Sequence, residues 1–333
     1  YADILAGAPE YVTGRQEEWK AFLATAARNY KYPYYDQLMI YLQRPEATAC
    51  AEYDFWFDTM HRYVKRGAKG IALVDNEGDS PRLRYVFDVA DTGARRNSRP
   101  VWLWQMKEEY RNPVMAALER AYGISGENQS LEAQLEQVAG RLAADYWLDY
   151  GRQIRGIVAD SFLEEYDEFN IGTVFRKAAQ ASIAYTLSVR CTEEGENLFE
   201  PEDFRDVSDF NTRQTAAALG TAVSSISREV FREIERAIRD YERTKAQERS
   251  QNYAERNNIQ AGRGLSSAGD RVERDHRETS GQIRENAQGI SEGEQSDTLQ
   301  RSGTGGEVIS PSSGDRRDSA PEAGSADEGT SGE

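Results

Sequence analysis

Apolar residues recur at three- and four-residue spacing across residues 15–30. Trp19, Phe22, Leu23 and Ala26 share one side, and Glu17 and Glu18 sit near the positive end. The spacing predicts an amphipathic helix. Pro33 ends that pattern, and residues 35–42 predict a second helix that stops before Pro45. A third, short helix is predicted at about 52–60, carrying Phe55, Trp56 and Met60. The period then changes. Tyr63-Val64 and the segments 71–74 and 83–89 are short β-type runs, separated by Gly67, Gly70 and the turn residues of 76–81. Helices followed by a small antiparallel sheet make the first third an α+β unit.

Residues 91–100 are polar and basic and read as an exposed loop. Beyond them the pattern is helical, with segments expected near 108–122, 131–150, 152–168, 171–190 and 211–245. In the last of these, Val223, Ile226, Val230, Ile234, Ile238 and Tyr241 trace one stripe, the mark of a core-facing helix. After about Ala246 the composition turns to Gly, Ser, Glu, Gln, Arg and Asp, and Tyr253 is the last aromatic residue. Such a segment buries too little apolar surface to offset its conformational entropy, so a disordered tail is expected. The predicted fold class is α+β, organised as an α+β domain over 1–107, an all-α region over 108–246 and a disordered linker or tail over 247–333.

Charge sharpens this division. The 333 residues carry a formal net charge of -16, but residues 1–107 hold 15 Lys/Arg against 14 Asp/Glu. Residues 108–246 hold 16 against 26, and the remainder 10 against 17. A surface for a polyanion is therefore expected only in the first third. No apolar run approaches the roughly 20 residues that span a bilayer, and no secretory leader pattern precedes the first helix, so a cytoplasmic protein with no membrane partner is expected. Cys50 and Cys191 are too few for a disulfide framework and are expected as buried reduced thiols. The chain lacks an initiator Met, which suggests a piece of something larger.

The search for catalytic chemistry yields little. There is no phosphate-cradling Gly-x-x-x-x-Gly-Lys-Ser/Thr loop, no His-Glu-x-x-His and no Cys pair at metal-ligand spacing. The histidines, His61 and His276, are far apart. The acids Glu164, Glu165, Asp167 and Glu168 read as a solvated helix face. Asp88 and Asp91 bracket a strand end, where carboxylates commonly cap turn amides. No enzyme, metal or cofactor is expected of these residues.

One segment stands against the acidic background. His61-Arg-Tyr-Val-Lys-Arg-Gly-Ala-Lys-Gly-Ile-Ala-Leu73 places four cations beside an aromatic ring. Cations on phosphates and rings on bases are the chemistry that holds a nucleic-acid strand. Lys65, Arg66 and Lys69 are expected on phosphate along a β-hairpin rail, assisted by Arg62 and by Arg95, Arg96 and Arg99 of the basic loop. Tyr63 and one or more of Tyr32, Tyr34 and Tyr35 are the expected stacking residues.

Trp19, then Asn29-Tyr-Lys-Tyr-Pro-Tyr-Tyr-Asp-Gln-Leu-Met-Ile-Tyr41, then Trp56 and Val64-Lys-Arg-Gly-Ala-Lys-Gly70, resemble the ArdC-type antirestriction N-terminal domain. Residues 1–246 are also similar to the leading region of very large proteins of bacterial conjugative and integrative elements, through Gln43-Arg-Pro-Glu-Ala-Thr-Ala-Cys50 and Tyr85-Val-Phe-Asp-Val-Ala-Asp-Thr92. In such proteins helicase and adenine-methyltransferase regions follow a disordered linker. The resemblance implies a non-catalytic single-stranded-DNA-binding module. The metallopeptidase-like region of the ArdC-type family has no counterpart here. The competing expectation is a structural module that docks helicase or methyltransferase regions of the same polypeptide.

Overall fold

The computed structural model describes residues 2–75, 80–193 and 195–278. Three helices lead: α1 (Ala2–Thr13), α2 (Gln16–Arg28) and α3 (Tyr34–Gln43). The α1 helix was not expected from periodicity, and it tolerates Pro9 in its interior. In α2 the predicted stripe is the buried one, with Trp19, Phe22, Leu23 and Ala26 facing inward. Five short strands follow: β1 (Cys50–Glu52), β2 (Arg62–Val64), β3 (Ile71–Asp75), β4 (Arg82–Asp88) and β5 (Thr92–Ala94). Four long helices complete the described chain: α4 (Glu108–Tyr122), α5 (Leu131–Arg155), α6 (Glu168–Cys191) and α7 (Arg213–Glu278). A 3-10 segment at Pro201–Asp209 lies between α6 and α7. The α+β class holds: a small antiparallel sheet region, then helices alone.

Strand pairing departs from the expected hairpin. The strands β1, β4 and β3 form one antiparallel sheet in that order, and β2 pairs with β5 in a second, two-stranded sheet. Residues 65–70 therefore carry the chain from one sheet to the other. They cannot be a β2–β3 hairpin, because each strand has its ladder partner elsewhere. The segment 52–60 is likewise no ordinary helix: it is the end of β1 followed by a short π-helical turn, Phe55–Thr59.

The helix expected at 131–150 extends to Arg155, and most of the one expected at 152–168 is a loop. The α5 helix runs unbroken for 25 residues, capped by the Ser130 hydroxyl, which accepts from the Ala133 N–H. It ends at Gly156, and residues 156–167 form a loop before Asp167 caps α6 by accepting from the Asn170 N–H. The α7 helix continues through Ala246, where the composition changes, as far as Glu278. Residues 279–333 of the expected disordered tail lie outside the described residues. No helix among the described residues is long and apolar enough to cross a membrane.

One large apolar core joins what the sequence divides at residue 107. Trp19, Phe22, Tyr34 and Leu38 belong to the same buried cluster as Leu135, Phe175, Ile183, Phe231 and Ile234. The Trp19 indole N–H donates to Ser182 Oγ of α6 across 2.9 Å. A single compact unit extends to Gly262. The first three helices are thus part of the helical body, and the boundary at 107 does not separate two cores. A smaller cluster, Met39, Ile40, Ala47, Ile71, Leu73 and Val86, fastens the three-stranded sheet to α3.

A buried polar network pins the junction. The Tyr30 hydroxyl donates to Glu235 of α7, and Lys31 and Arg239 reach the same carboxylate at 3.3 and 2.6 Å. The Trp104 indole N–H donates to Tyr30 at 3.3 Å, and the Arg190 guanidinium stacks 4.2 Å from the Trp104 ring centre. Burial opposes ionisation of Glu235, but the Tyr30 hydrogen bond, Lys31 and Arg239 together outweigh it and hold the carboxyl below its usual range. A depressed carboxylate stabilises the fold fully above its ordinary value of 4.5 and loses that contribution as pH falls through the lowered one. Glu235→Gln is expected to lower the unfolding free energy at pH 7 by about 1–3 kcal/mol. The gap from wild type should narrow below pH 4.5 in urea titrations at several pH values. A second pressure point is Gly220, where an added Cβ would stand 2.1 Å from the Tyr34 ring. Gly220→Ala is expected to cost about 1–3 kcal/mol, read as a lowered melting temperature.

Candidate nucleic-acid interface

The π-helical turn at Phe55–Thr59 decides what the N-terminal surface presents. Trp56 points inward, almost wholly buried, and its indole N–H donates to the Phe87 carbonyl of β4 across 2.9 Å. With Trp56 held inward, its neighbours project outward: Tyr53, Phe55 and Phe57 are between 39% and 48% exposed. Tyr53 and Phe57 stack with ring centres 5.9 Å apart and an interplanar angle of 11°. The Arg95 guanidinium lies 4.7 Å from the Phe57 ring centre and 6.0 Å from that of Tyr63. Tyr53, Phe57, Arg95 and Tyr63 thereby form one exposed ladder of planar groups.

Tyr63 is fixed on that ladder by its cross-strand partner. Its β2 position pairs with Gly93 of β5, and a Cβ on Gly93 would meet the phenol ring at 2.3 Å. Only glycine lets the ring lie flat there. The basic loop is docked rather than loose. The Ser98 hydroxyl donates to the His61 carbonyl at 2.7 Å and accepts from the Arg95 N–H, and the Arg99 N–H donates to the Met60 carbonyl at 3.0 Å. His61 meets it with φ 53, a left-handed conformation uncommon outside glycine.

Of the cations expected from sequence, Arg95 lies on this ladder, and the others sit on β2, on the 65–69 segment after it and on the loop after β5. Arg62 donates through Nε to the Thr92 hydroxyl at 2.8 Å, and Lys65 Nζ donates to the Ala90 carbonyl at 2.8 Å. The 65–68 turn is closed by the Ala68 N–H on the Lys65 carbonyl, with Gly67 at φ 85. Arg66, Lys69, Arg95, Arg96 and Arg99 are exposed. Next to Lys69, Gly70 abuts the side chain of Tyr85, which is half exposed on the outer face of β4. Segments 53–69 and 92–99 together hold seven Lys/Arg against Asp54 and Asp58. The local charge is opposite in sign to the chain's.

The early tyrosines are not part of this surface. Tyr34 is 2% exposed and packs edge-on against Phe22, with Gly220 making room for its ring, so it is a core residue and not a stacking one. The Tyr32 hydroxyl donates to the Cys50 carbonyl at 2.8 Å, and burial raises its pKa, as expected of a ring packed against the sheet core. Tyr35 is exposed but lines a cleft with Asp36, Glu52, Asp75 and Arg84, where carboxylates outnumber cations. The exposed aromatics of this region that the sequence reading did not single out as candidates are Tyr53, Phe55, Phe57 and Tyr85. Their density between two β-runs was the available signal.

Other candidate chemistry is committed to the fold. Asp88 is buried, and its carboxylate accepts from the backbone N–H groups of Thr48, Ala49 and Ala90 at 2.6, 2.9 and 2.9 Å. Asp91 is ion-paired with Arg44. The two cysteines are free, and burial pushes both thiols up to about 12. Among the described residues no group of three or more His, Cys, Asp or Glu side chains is arranged to hold a metal ion. Comparison of the chain with family models, with curated proteins and with solved structures finds no match.

Proposed function

We propose that this protein binds single-stranded DNA through the surface built on β2, β5 and the π-helical turn, without catalysing a reaction on it. The observation that carries this reading is the exposed ladder Tyr53–Phe57–Arg95–Tyr63 set among seven cations in a chain of net charge -16. Bases present flat π-faces once a strand is unpaired, and stacking on aromatic rings tolerates any sequence. Lys65, Arg66 and Lys69 supply the main phosphate contacts, with a fourth from among Arg62, Arg96 and Arg99. Tyr63, Phe57 and Tyr53 take the bases, with Phe55 and Tyr85 at the margins. A duplex keeps its bases stacked on each other and gains only the electrostatic part. In the longer polypeptide that the resemblance implies, the module would hold a strand for helicase or methyltransferase regions.

The test is an anisotropy titration of the full chain with a labelled oligothymidylate and with a duplex of equal length, at several salt concentrations. Three or four phosphate contacts should give a log–log salt slope of about -2 to -3 for the single strand. Lys65→Ala/Arg66→Ala/Lys69→Ala should weaken binding and flatten that slope. Absence of binding, or a triple variant that binds as wild type does, would remove the proposal. The stacking half is tested separately. Phe57→Ala/Tyr63→Ala should cost about 1–3 kcal/mol per lost base contact while leaving the salt slope unchanged. An equal loss for the duplex would mean that the rings do not read bases.

A further inference from the structure

The far end of the α5–α6 pair carries a second exposed apolar surface, unlike the first in charge. Leu148 is 80% exposed, Phe169 74% and Phe162 63%, and Tyr150 and Tyr166 are also exposed. The Trp147 ring lies against Gly172, and Arg155 pairs with Glu168. These contacts put Leu148 and Phe169 at the same end of the two helices, with Phe162 on the loop that joins them.

This exposure is built in and is not a frayed end. Leu163 is fully buried and anchors the loop from within. The Phe162 N–H donates to Asn211 Oδ1 at 2.9 Å, the Ser161 hydroxyl accepts from the Leu163 N–H at 3.2 Å, and the Asp160 N–H donates to Glu164 at 2.9 Å. Phe169 stands in the first turn of α6, which Asp167 caps. A fixed loop that turns a leucine inward and the adjacent phenylalanine outward presents that ring to a partner.

Charge identifies the kind of partner. Residues 145–169 hold seven carboxylates (Asp145, Asp149, Asp160, Glu164, Glu165, Asp167 and Glu168) against Arg152 and Arg155, and Arg155 is already paired. A second copy meeting this tip with its own tip would bring like charges together. Residues 279–333 hold 4 Lys/Arg against 11 Asp/Glu, so that segment is also of the wrong sign. Nucleic acid is repelled for the same reason. We infer that this tip docks a cationic amphipathic segment of another protein region, with its apolar side chains on Leu148, Phe162 and Phe169 and its Lys or Arg residues on the surrounding acids.

The test uses the full chain and two fluorescein-labelled peptides: an amphipathic helix of leucine and lysine, and an equally charged control in which serine replaces leucine. The amphipathic peptide should bind at least about tenfold more tightly than the control. Leu148→Ser/Phe162→Ser/Phe169→Ser should remove that advantage while keeping the circular dichroism spectrum, since all three side chains are exposed. Glu164→Lys/Glu165→Lys should weaken both peptides. Equal binding of the two peptides, or an unchanged triple variant, would overturn the inference. So would self-association of the wild type that the triple variant abolishes, because the occupant would then be a second copy. DNA affinity is unaffected in the triple variant if the two surfaces are separate, so this result and the DNA-binding test fail independently.

Discussion

Burial of α3 on both sides is the constraint from which the rest of the N-terminal structure follows. Seven of its ten residues are buried. Tyr34, Leu38 and Tyr41 enter the core shared with α2, α6 and α7, while Met39 and Ile40 enter the small core beneath β3 and β4. One helix therefore serves as the wall between a large helical body and a small sheet. The sheet spends its inner face, Ile71, Leu73 and Val86, on that wall. On its outer face Leu83 and Tyr85 remain exposed.

Local geometry then decides which rings face out. Within three consecutive residues, Phe55-Trp56-Phe57, the indole is locked inward by its bond to the Phe87 carbonyl and the two phenylalanines are left outside. Exposing large rings is unfavourable by about 1.5–3 kcal/mol each relative to burial, so a patch of them has to be maintained by anchors such as Trp56. Arginine stacking recovers part of that loss, since a guanidinium over a ring contributes about 0.5–1 kcal/mol at an exposed site. Arg95 plays this part between Phe57 and Tyr63, and its loop is held by Ser98 on His61. On the proposed reading, the same side chain would also offer a cation to a bound strand.

What the sequence made legible is what depends on near neighbours. The α2 stripe, the Val223–Ile238 face of α7 and the β-runs at 71–74 and 83–89 all follow from period and composition, and all are found. The basic residues, too, are where their density placed them. What was hidden depends on residues far apart in the chain. Tyr34 is a core residue because Gly220, on the last helix, leaves a space the size of its ring. The 65–70 segment looked like a hairpin because β2 and β3 are adjacent in sequence, but β2 pairs with β5, about thirty residues on, and β3 pairs with β4 in a different sheet. The 52–60 segment read as a short helix because helical spacing alone does not reveal a π-helical turn. The merging of the first three helices with the helical body has the same origin: matching apolar faces do not announce which face they will meet.

The most direct test is photocrosslinking of the full chain to an oligonucleotide carrying 5-iododeoxyuridine, with the attached residues mapped by mass spectrometry. The account predicts adducts on Tyr53, Phe57 or Tyr63, lost when unlabelled single strand competes and retained when duplex of equal length does. Adducts confined to Tyr35 or the helical body, or none at those three rings, would contradict it.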